Sequence, residues 1–327
     1  MTEGGAMQKG DALLDVRGLK KYFATPRGPL QAVDDVSFSI LKGETLGVVG
    51  ESGCGKSTLG RTILRLYEPT GGEIFFDGQD IASYDKKRLK KLRTEMQIIF
   101  QDPYSSLNPR MTVSQAIAAP LVLQGIFKKN DRLGIDARVG ELMDLVGLAR
   151  RFVNSYPHEL DGGRRQRIGI ARALSLKPKF IVCDEPVSAL DVSIQAQILN
   201  LMQDLQGEFG LTYMFITHDM SVVKHISDDI MVMYMGRVVE RAKPGSLFAA
   251  PLHPYTRALL SAIPIADPDV KIRKEILKGE ISSPVNMGPE CRFIGRCPDF
   301  TPACIDKAAE EKEVEPGHFV SCVKYDA

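Results

Sequence analysis

A glycine-rich stretch in the first fifth of the chain has the residue types that bind phosphate groups. Eight consecutive residues fit the pattern G-x-x-x-x-G-K-[S/T], and Thr58 follows them; the eight are Gly50, Glu51, Ser52, Gly53, Cys54, Gly55, Lys56 and Ser57. Glycines let backbone N–H groups turn towards phosphate oxygens, and a helix that starts near Lys56 would add its positive end. The pattern predicts that Lys56 reaches the β- and γ-phosphates and that the Ser57 hydroxyl coordinates Mg²⁺.

Two adjacent carboxylates follow an apolar run much later in the chain. Residues 180–183 are apolar and predict a buried strand, which ends at Asp184 and Glu185. Carboxyl ends of parallel strands form the ligand-binding edge of an α/β sheet. We expect Asp184 to hold Mg²⁺ directly or through water, and Glu185 to polarise an attacking water molecule. His218 follows another apolar run, residues 213–217, and the order of these motifs predicts a contact with the γ-phosphate.

The elements around these residues are those that a phosphate loop requires. Residues 45–49 predict a buried strand before the loop, and residues 59–66 have helical spacing after it. Residues 112–155 carry helical periodicity, and residues 230–235 and 237–240 predict a hairpin around Gly236. Proline becomes frequent after Pro244, which predicts a domain boundary near residue 245.

Composition excludes some classes of protein. Among 327 residues, 42 Lys and Arg stand against 41 Asp and Glu, so the chain lacks the basic excess of a protein that wraps nucleic acid. No apolar run approaches the ~20 residues that span a bilayer. We therefore expect a cytoplasmic protein that reaches a membrane only through a partner.

Four of the 6 cysteines lie close together near the C-terminus, and they are Cys291, Cys297, Cys304 and Cys322. In a cytoplasmic chain such a group favours a metal site over disulfides. The spacing lacks the tight C-x2-C pair of common zinc modules. Cys54 and Cys183 are interpreted as small packing residues, of which Cys54 is open to thiol reagents.

Together these motifs resemble the nucleotide-binding subunits of ABC transporters over residues 13–245. Gln101 ends a strand where that family has its Q-loop glutamine, and Tyr22 lies where it stacks an aromatic ring on adenine, with Phe23 the weaker choice. The family signature L-S-G-G-Q-x-Q-R resembles the run from Leu160 to Arg167, which includes Asp161, Gly162, Gly163 and Arg164. The family D-loop resembles Ser188, Ala189, Leu190 and Asp191.

The resemblance implies an ATPase with Mg²⁺ bound by Ser57, Gln101 and Asp184, and with Glu185, His218, Lys56 and Gln101 in catalytic roles. It implies two such subunits, head to tail, driving membrane subunits. A soluble ABC protein acting on DNA or ribosomes is the weaker alternative, because those usually carry two cassettes or a long coiled coil. A nucleotide-binding regulator without turnover is disfavoured by Glu185 and His218.

A narrower resemblance, to the oligopeptide/dipeptide importer branch, is carried by residues 99–109 and 184–197, by the His253-Pro254-Tyr255-Thr256 motif and by the cysteine-bearing tail. Within it, the chain resembles the second, F-type ATPase subunit. The implied partners are a different second ATPase subunit, two permeases and, indirectly, an extracytoplasmic binding protein, at the cytoplasmic face of the membrane. Members of the branch also import nickel or short oligosaccharides.

The signature departs from the family pattern at two positions. Asp161 replaces a serine that donates to the γ-phosphate of the partner's nucleotide, and Arg164 replaces glutamine. An ionised aspartate would repel that phosphate by about 1 kcal/mol in water and about 4 kcal/mol at an effective dielectric of 20. Arg164 would offset this charge by pairing with Asp161 or by reaching the phosphate. We expect an asymmetric heterodimer with a competent site on this chain and a weakened site on its partner; the alternative is a tolerated variant with normal activity at both sites.

Some members of the resembled branch carry a [4Fe–4S] cluster at such a tail, and Cys₄ ligation suits one. The resemblance therefore favours an iron–sulfur cluster at the four cysteines, with a structural role. Zinc and unliganded thiols are the alternatives.

The predicted fold is α/β: a phosphate-loop core with a mixed sheet and an N-terminal antiparallel β portion. The predicted domains are a flexible N-terminus over residues 1–12, an ABC nucleotide-binding domain over 13–245 and a C-terminal extension over 246–327. A helical subdomain is expected at about 102–165.

Overall fold

The computed structural model describes residues 12–263, 277, 279, 283–306 and 308–326; the predicted flexible N-terminus lies outside them except for residue 12. The strands are β1 (Ala12–Thr25), β2 (Gly28–Leu41), β3 (Thr45–Val49), β4 (Gly71–Phe76), β5 (Gln79–Asp80), β6 (Met96–Ile99), β7 (Phe180–Asp184), β8 (Thr212–Thr217), β9 (Asp229–Tyr234), β10 (Arg237–Ala242), β11 (Lys312–Glu315) and β12 (His318–Val320).

The helices are α1 (Lys56–Ile63), α2 (Lys86–Glu95), α3 (Pro103–Ser106), α4 (Val113–Leu123), α5 (Arg132–Leu145), α6 (Gly162–Leu174), α7 (Val192–Phe209), α8 (Met220–Ile226), α9 (Pro244–Ala249), α10 (Pro254–Ser261) and α11 (Ala303–Asp306). Short 3-10 turns cover Arg150–Phe152, Pro157–Glu159 and Val323–Tyr325. The chain forms two compact units, one from Met1–Ser83 with Thr217–Ala327 and the other from Tyr84–Ile216.

The first unit contains an antiparallel sheet in the order β2-β1-β4-β5. Strand β1 lies in its interior: Val16 faces Phe38 of β2 on one side and Ile74 of β4 on the other. The alternating apolar positions of β1 and β2 explain the pairing, since Val16, Val36 and Phe38 are buried. The predicted N-terminal antiparallel β portion is therefore present.

The same unit contains β3, which pairs in parallel with β9, while β10 pairs antiparallel with β9. All five residues of β3 are buried, as expected for a strand covered on both faces. The predicted hairpin around Gly236 is present as β9 and β10. Strand β12 of the C-terminal extension adds to the free edge of β10, and β11 pairs with β12.

The C-terminal extension packs on this unit through an aromatic cluster. Tyr234 of β9, Tyr255 of α10 and Phe293 are buried, and their ring centroids lie 4.8 to 5.5 Å apart. Helices α9 and α10 have only 6 and 8 residues, as expected where proline is frequent. The extension thus shares a core with the strands that precede it.

The second unit contains a parallel sheet in which β7 pairs with both β6 and β8. All residues of β7 and β8 are buried, which agrees with the apolar runs that predicted them. Helices α4, α5 and α6 fall within or next to the predicted helical region. The architecture confirms the predicted α/β class. Among the described helices, none combines the length and the apolar character of a bilayer-spanning segment.

Candidate nucleotide site

Positive backbone φ angles shape the phosphate loop. Gly50 and Gly55 have φ of 152° and 107°, and an added Cβ would lie 2.2 Å from the Met233 carbonyl oxygen and 2.1 Å from that of Ala32, respectively. Such distances exclude side chains at both positions, so the loop between β3 and α1 requires glycine. Helix α1 starts at Lys56, and among the described residues no side chain caps its first turn. That helix end is therefore available to an anion.

Lys56 is buried inside the loop that it belongs to. Its Nζ atom donates to the carbonyl oxygens of Gly50, at 2.7 Å, and of Glu51, at 3.0 Å. The Cys54 sulfur lies 3.7 Å from the same Nζ, and burial raises the pKa of this thiol. Cys54 is therefore a protonated packing residue of the loop, and Cys183 is buried in β7 in the same way.

The second unit brings Glu185 and Gln101 together. Asp184 is 1% exposed at the end of β7, and Glu185 follows it with φ of 48°, a left-handed conformation rare for a non-glycine residue. The Glu185 N–H donates to the Ile216 carbonyl oxygen at 2.9 Å. Gln101 Nε2 donates to Glu185 Oε2 at 2.8 Å. The Q-loop glutamine predicted from resemblance thus contacts the predicted water-polarising carboxylate.

His218 is exposed immediately after β8, and it belongs to the same unit as the phosphate loop. Its neighbour Asp219 caps α8 by accepting from the Ser221 and Val222 backbone N–H groups. The helix that follows the histidine therefore starts at a capped residue.

Asp161 and Arg164 form an ion pair at the start of α6. Asp161 Oδ1 caps the helix by accepting from the Arg164 N–H at 2.8 Å, and Asp161 Oδ2 lies 2.8 Å from Arg164 Nη1. The Arg164 guanidinium also lies 4.9 Å from the ring centroid of Phe152. The arginine thus neutralises the carboxylate that replaces the family serine.

The rest of the signature packs against the D-loop and α7. An added Cβ on Gly163 would lie 2.7 Å from the Ile194 Cγ2 atom, and one on Gly162 would lie 3.2 Å from Leu190. Asp191 caps α7 by accepting from the Ile194 N–H at 3.0 Å. The Ser188 hydroxyl donates to the Glu185 carbonyl oxygen at 3.1 Å, while Ala189 is exposed.

Tyr22 is half-buried on β1, and its hydroxyl donates to Asp34 Oδ1. Burial and this hydrogen bond raise the pKa of Tyr22 to about 12. Phe23 packs edge-to-face on Tyr67 with a centroid distance of 5.5 Å. The adenine contact of Tyr22 stays a prediction.

Three extension residues contact these nucleotide elements, and the sequence patterns did not single them out for that role. Arg296 pairs with Glu51 of the phosphate loop, the Tyr255 hydroxyl accepts from the Glu51 N–H at 2.8 Å, and Arg292 pairs with Asp34. Of the three, only Tyr255 lies in a motif recognised from the sequence, His253-Pro254-Tyr255-Thr256, and that motif did not indicate a contact with the phosphate loop.

All four C-terminal cysteines line one small cavity of about 20 Å³. None of the four forms a disulfide. Burial raises the pKa of Cys297 to about 11, and it also raises the pKa values of Cys291 and Cys322. Within the described ranges, no group of three or more His, Cys, Asp or Glu side chains forms a metal-binding cluster. The predicted ligands therefore share one cavity without forming a metal centre here.

Sequence comparisons agree with the fold and with these loops. The family model described as ABC transporter matches residues 33–188, and that described as oligopeptide/dipeptide transporter, C-terminal region, matches residues 239–304. The oligopeptide transport ATP-binding protein AppF of Bacillus subtilis is 51% identical, over 96% of this chain and 98% of AppF. The chain belongs to the oligopeptide/dipeptide branch of the ABC transporter ATP-binding proteins.

Other members of this branch match to a similar extent. OppF of Bacillus subtilis is 52% identical, over 96% of this chain and 97% of OppF. A putative peptide import ATP-binding protein of Brucella ovis is 51% identical, over 95% of this chain and 98% of that protein.

Solved structures give the same assignment. The CbiO1 subunit of a Clostridium perfringens ABC transporter complex has a TM-score of 0.65 and 30% identity, covering 73% of this chain and 92% of that one. The cassette MJ0796, solved as a dimer in a post-hydrolysis state bound to ADP and Pi, has a TM-score of 0.65 and 30% identity, covering 71% of this chain and 98% of that one. This member of the ABC family is accordingly an ATPase.

Proposed function

We propose that this chain is the ATP-hydrolysing subunit of an ABC importer of peptides, and that it works with a second, different ATPase subunit. The observation that carries the proposal is the match over nearly the whole chain to oligopeptide transport ATP-binding proteins, including the C-terminal region of that branch. The phosphate loop and the Gln101–Glu185 pair supply the chemistry that such a subunit needs.

The proposed reaction is the attack of water on the γ-phosphate of MgATP, in line with the leaving oxygen of ADP. Lys56 and the first turn of α1 bind the phosphates, and Glu185 polarises the water with Gln101 orienting its carboxylate. When bound, Mg²⁺ neutralises phosphate charge, and Ser57, Asp184 and Gln101 are its proposed ligands. His218 stabilises the γ-phosphate as charge develops.

The proposed partners are two permeases at the cytoplasmic face of the membrane and, indirectly, an extracytoplasmic peptide-binding protein. Tyr104, three residues after Gln101 in the chain, is 57% exposed and is one candidate contact to a permease. Because Gln101 contacts Glu185, a permease held near Tyr104 would act on the catalytic carboxylate. The near-neutral charge of the chain agrees with a protein partner rather than nucleic acid.

The experiment is affinity purification of the tagged chain from native membranes in mild detergent, with partners identified by mass spectrometry. We expect two permeases and a second ATPase bearing an L-S-G-G-Q signature. Tyr104→Glu should lower permease recovery, while the control Phe209→Glu, which changes another exposed aromatic side chain of the same unit, should not. Recovery of a homodimer or of ribosomal proteins without a permease would contradict the proposal.

We also propose that the two nucleotide sites of the heterodimer are unequal. The phosphate loop, Glu185 and His218 of this chain would be completed by the partner's signature, whereas Asp161 would face the partner's nucleotide. The Asp161–Arg164 pair supports this arrangement, because a paired carboxylate cannot donate the hydrogen bond of the family serine. The partner's site would therefore be weakened and the site on this chain competent.

For the four cysteines, we propose a [4Fe–4S] cluster bound by Cys291, Cys297, Cys304 and Cys322 in the assembled protein. All four line one cavity, and four thiols are the ligand set of such a cluster. When bound, such a group would staple the extension rather than transfer electrons. Iron and sulfide assays after anaerobic purification test this: brown, iron-bearing protein is expected, and colourless protein containing zinc or no metal would contradict it.

A further inference from the structure

Two arginines of the extension lie in the five-residue stretch between Cys291 and Cys297, and each contacts a different part of the nucleotide site. Arg296 Nη1 lies 2.7 Å from Glu51 Oε2, and Arg296 Nη2 lies 3.1 Å from Glu51 Oε1. This two-pronged pair fixes the second residue of the phosphate loop to the extension. The arginine side chain is 10% exposed and that of Glu51 is 29% exposed, so solvent screens the pair only partly.

The backbone of the same loop residue is held as well. The Glu51 N–H donates to the Tyr255 hydroxyl at 2.8 Å, and Tyr255 is fully buried in the aromatic cluster with Tyr234 and Phe293. The Arg296 guanidinium lies 5.9 Å from the ring centroid of Tyr234. Two residues of the extension therefore hold Glu51: Arg296 binds its side chain and Tyr255 binds its backbone.

Arg292 makes the corresponding contact towards Tyr22. Its Nη2 lies 2.5 Å from Asp34 Oδ2, and its side chain is 3% exposed. Asp34 Oδ1 accepts from the Tyr22 hydroxyl. Phe293, which follows Arg292, is buried between Tyr234 and Tyr255, so the stretch that carries both arginines has one fixed position.

We propose that the stretch between Cys291 and Cys297 is a clamp on the nucleotide site, in which Arg296 positions the phosphate loop through Glu51 and Arg292 positions Tyr22 through Asp34. The clamp preorganises the loop before ATP binds. The inference rests on the proposals that residues 50–58 bind the phosphates of ATP and that Tyr22 contacts its adenine. It makes the extension a determinant of nucleotide affinity.

The test compares Arg296→Ala with the unmodified protein in the purified transporter complex, by titration with a fluorescent ATP analogue and by steady-state ATPase assays. We expect the dissociation constant and the KM for ATP to rise about tenfold, with kcat within about twofold, because a preorganised loop contributes equally to ground-state and transition-state binding. The Glu51 carboxylate, once unpaired, would also repel the triphosphate. Arg296→Lys should restore part of the affinity.

A double-mutant cycle shows whether Arg296→Ala weakens ATP binding through Glu51 or through a general loss of stability. Glu51→Gln combined with Arg296→Ala should bind ATP no more weakly than Arg296→Ala alone, because the arginine acts through Glu51. The matched control is Arg257→Ala, which removes an extension arginine paired with Asp299 at 2.5 Å and should leave ATP affinity unchanged. Equal losses in Arg257→Ala and Arg296→Ala, or unchanged affinity in Arg296→Ala, would overturn the clamp. Failure of the unmodified protein to bind ATP would instead refute the proposed function.

Discussion

At the scale of single residues, Asp161 departs from the family pattern while keeping one role of the residue it replaces. Its Oδ1 atom still caps α6, as a serine hydroxyl would, and its other oxygen pairs with Arg164. The ring of Phe152 beside the guanidinium fixes the arginine further. The two substitutions are therefore best understood as a single change, in which the arginine offsets the charge that the aspartate brings.

Restoring the family residues should strengthen the partner's site. We expect Asp161→Ser combined with Arg164→Gln to raise ATP hydrolysis at that site about fivefold, because the serine hydroxyl would again donate to the γ-phosphate and a hydrogen bond worth about 1 kcal/mol has that effect on a rate. The measurement is the ATPase rate of the purified complex. Asp131→Ser, which alters the aspartate cap of α5 in the same unit, should leave the rate unchanged. An unchanged rate in the double variant would mean that Asp161 and Arg164 are a tolerated variant with two normal sites.

Asp34 is a buried carboxylate with three hydrogen-bonding partners: Tyr22, Arg237 and Arg292. Burial acts to raise the pKa of Asp34, but the hydrogen bonds from Tyr22 and Arg237 and the charges of both arginines outweigh it, so the pKa is lowered. A lowered native pKa contributes stability above the unfolded value, about 3.9, and that stability is lost as pH falls through the native value.

Asp34→Asn should accordingly destabilise the fold at neutral pH and much less in acid. We expect the free energy of unfolding to fall by about 3 kcal/mol at pH 7, because the buried Arg292 and the partly exposed Arg237 both lose their anion. The difference from the unmodified protein should shrink below about pH 4. Urea denaturation at both pH values measures this, and Asp35→Asn, an exposed neighbour with φ of 59°, is the control. A difference that stays constant down to pH 3 would contradict the assignment.

At the scale of elements, the strands around the site were predictable because their signals are local. Residues 45–49 and 180–183 are runs that lead directly to chemistry-bearing residues, and both lie in buried strands in the structure. Strands β11 and β12 carry no such signal: β11 is exposed along all four residues, and β12 has three residues. Their pairing depends on β10, which lies some 70 residues earlier in the chain.

The contacts of the extension escaped prediction for the same physical reason. Glu51 and Arg296 are 245 positions apart, and neither sits in a periodic pattern that would indicate a partner. The types and spacing of residues in the phosphate loop are set by phosphate chemistry, so the sequence revealed them. The acid that Arg296 pairs with occupies a variable position of the same motif, so the sequence left its role open.

A buried hydrogen-bond centre attaches β12 to β10. Glu240 is fully buried and accepts from the Leu252 N–H at 2.8 Å, the His253 N–H at 2.8 Å and the His318 Nε2 atom at 2.7 Å. All three contacts need the carboxylate oxygens as acceptors. Glu240 therefore joins the edge strand, the start of α10 and the end of the core hairpin.

Glu240→Gln should weaken this attachment, because the amide nitrogen would face a donor instead of accepting from it. We expect the free energy of unfolding to fall by about 2 to 3 kcal/mol, measured by thermal melting and urea denaturation. The control is Glu315→Gln on β11, where the side chain is exposed and the expected change is within about 0.5 kcal/mol. Equal stability of Glu240→Gln and the unmodified protein would refute the proposed role of this carboxylate.

At the scale of the whole molecule, three parts of the proposed nucleotide site follow directly after buried strands. The phosphate loop follows β3, Glu185 follows β7, and His218 follows β8. The left-handed backbone of Glu185 costs about 1–3 kcal/mol and is held by hydrogen bonds to Ile216 and Ser188. Retention of that strain at one carboxylate is consistent with a catalytic role.

The most direct test of this account is the substitution Glu185→Gln in the purified transporter complex, with ATP binding and hydrolysis measured on the same samples. Glutamine keeps an oxygen that can accept from Gln101 but removes the charge that polarises water. We expect unchanged ATP binding and a fall in hydrolysis to about a fifth of the original rate or less, because only the weakened site of the partner would still turn over. A complex that keeps most of its ATPase activity would contradict the assignment of Glu185 and of the competent site to this chain.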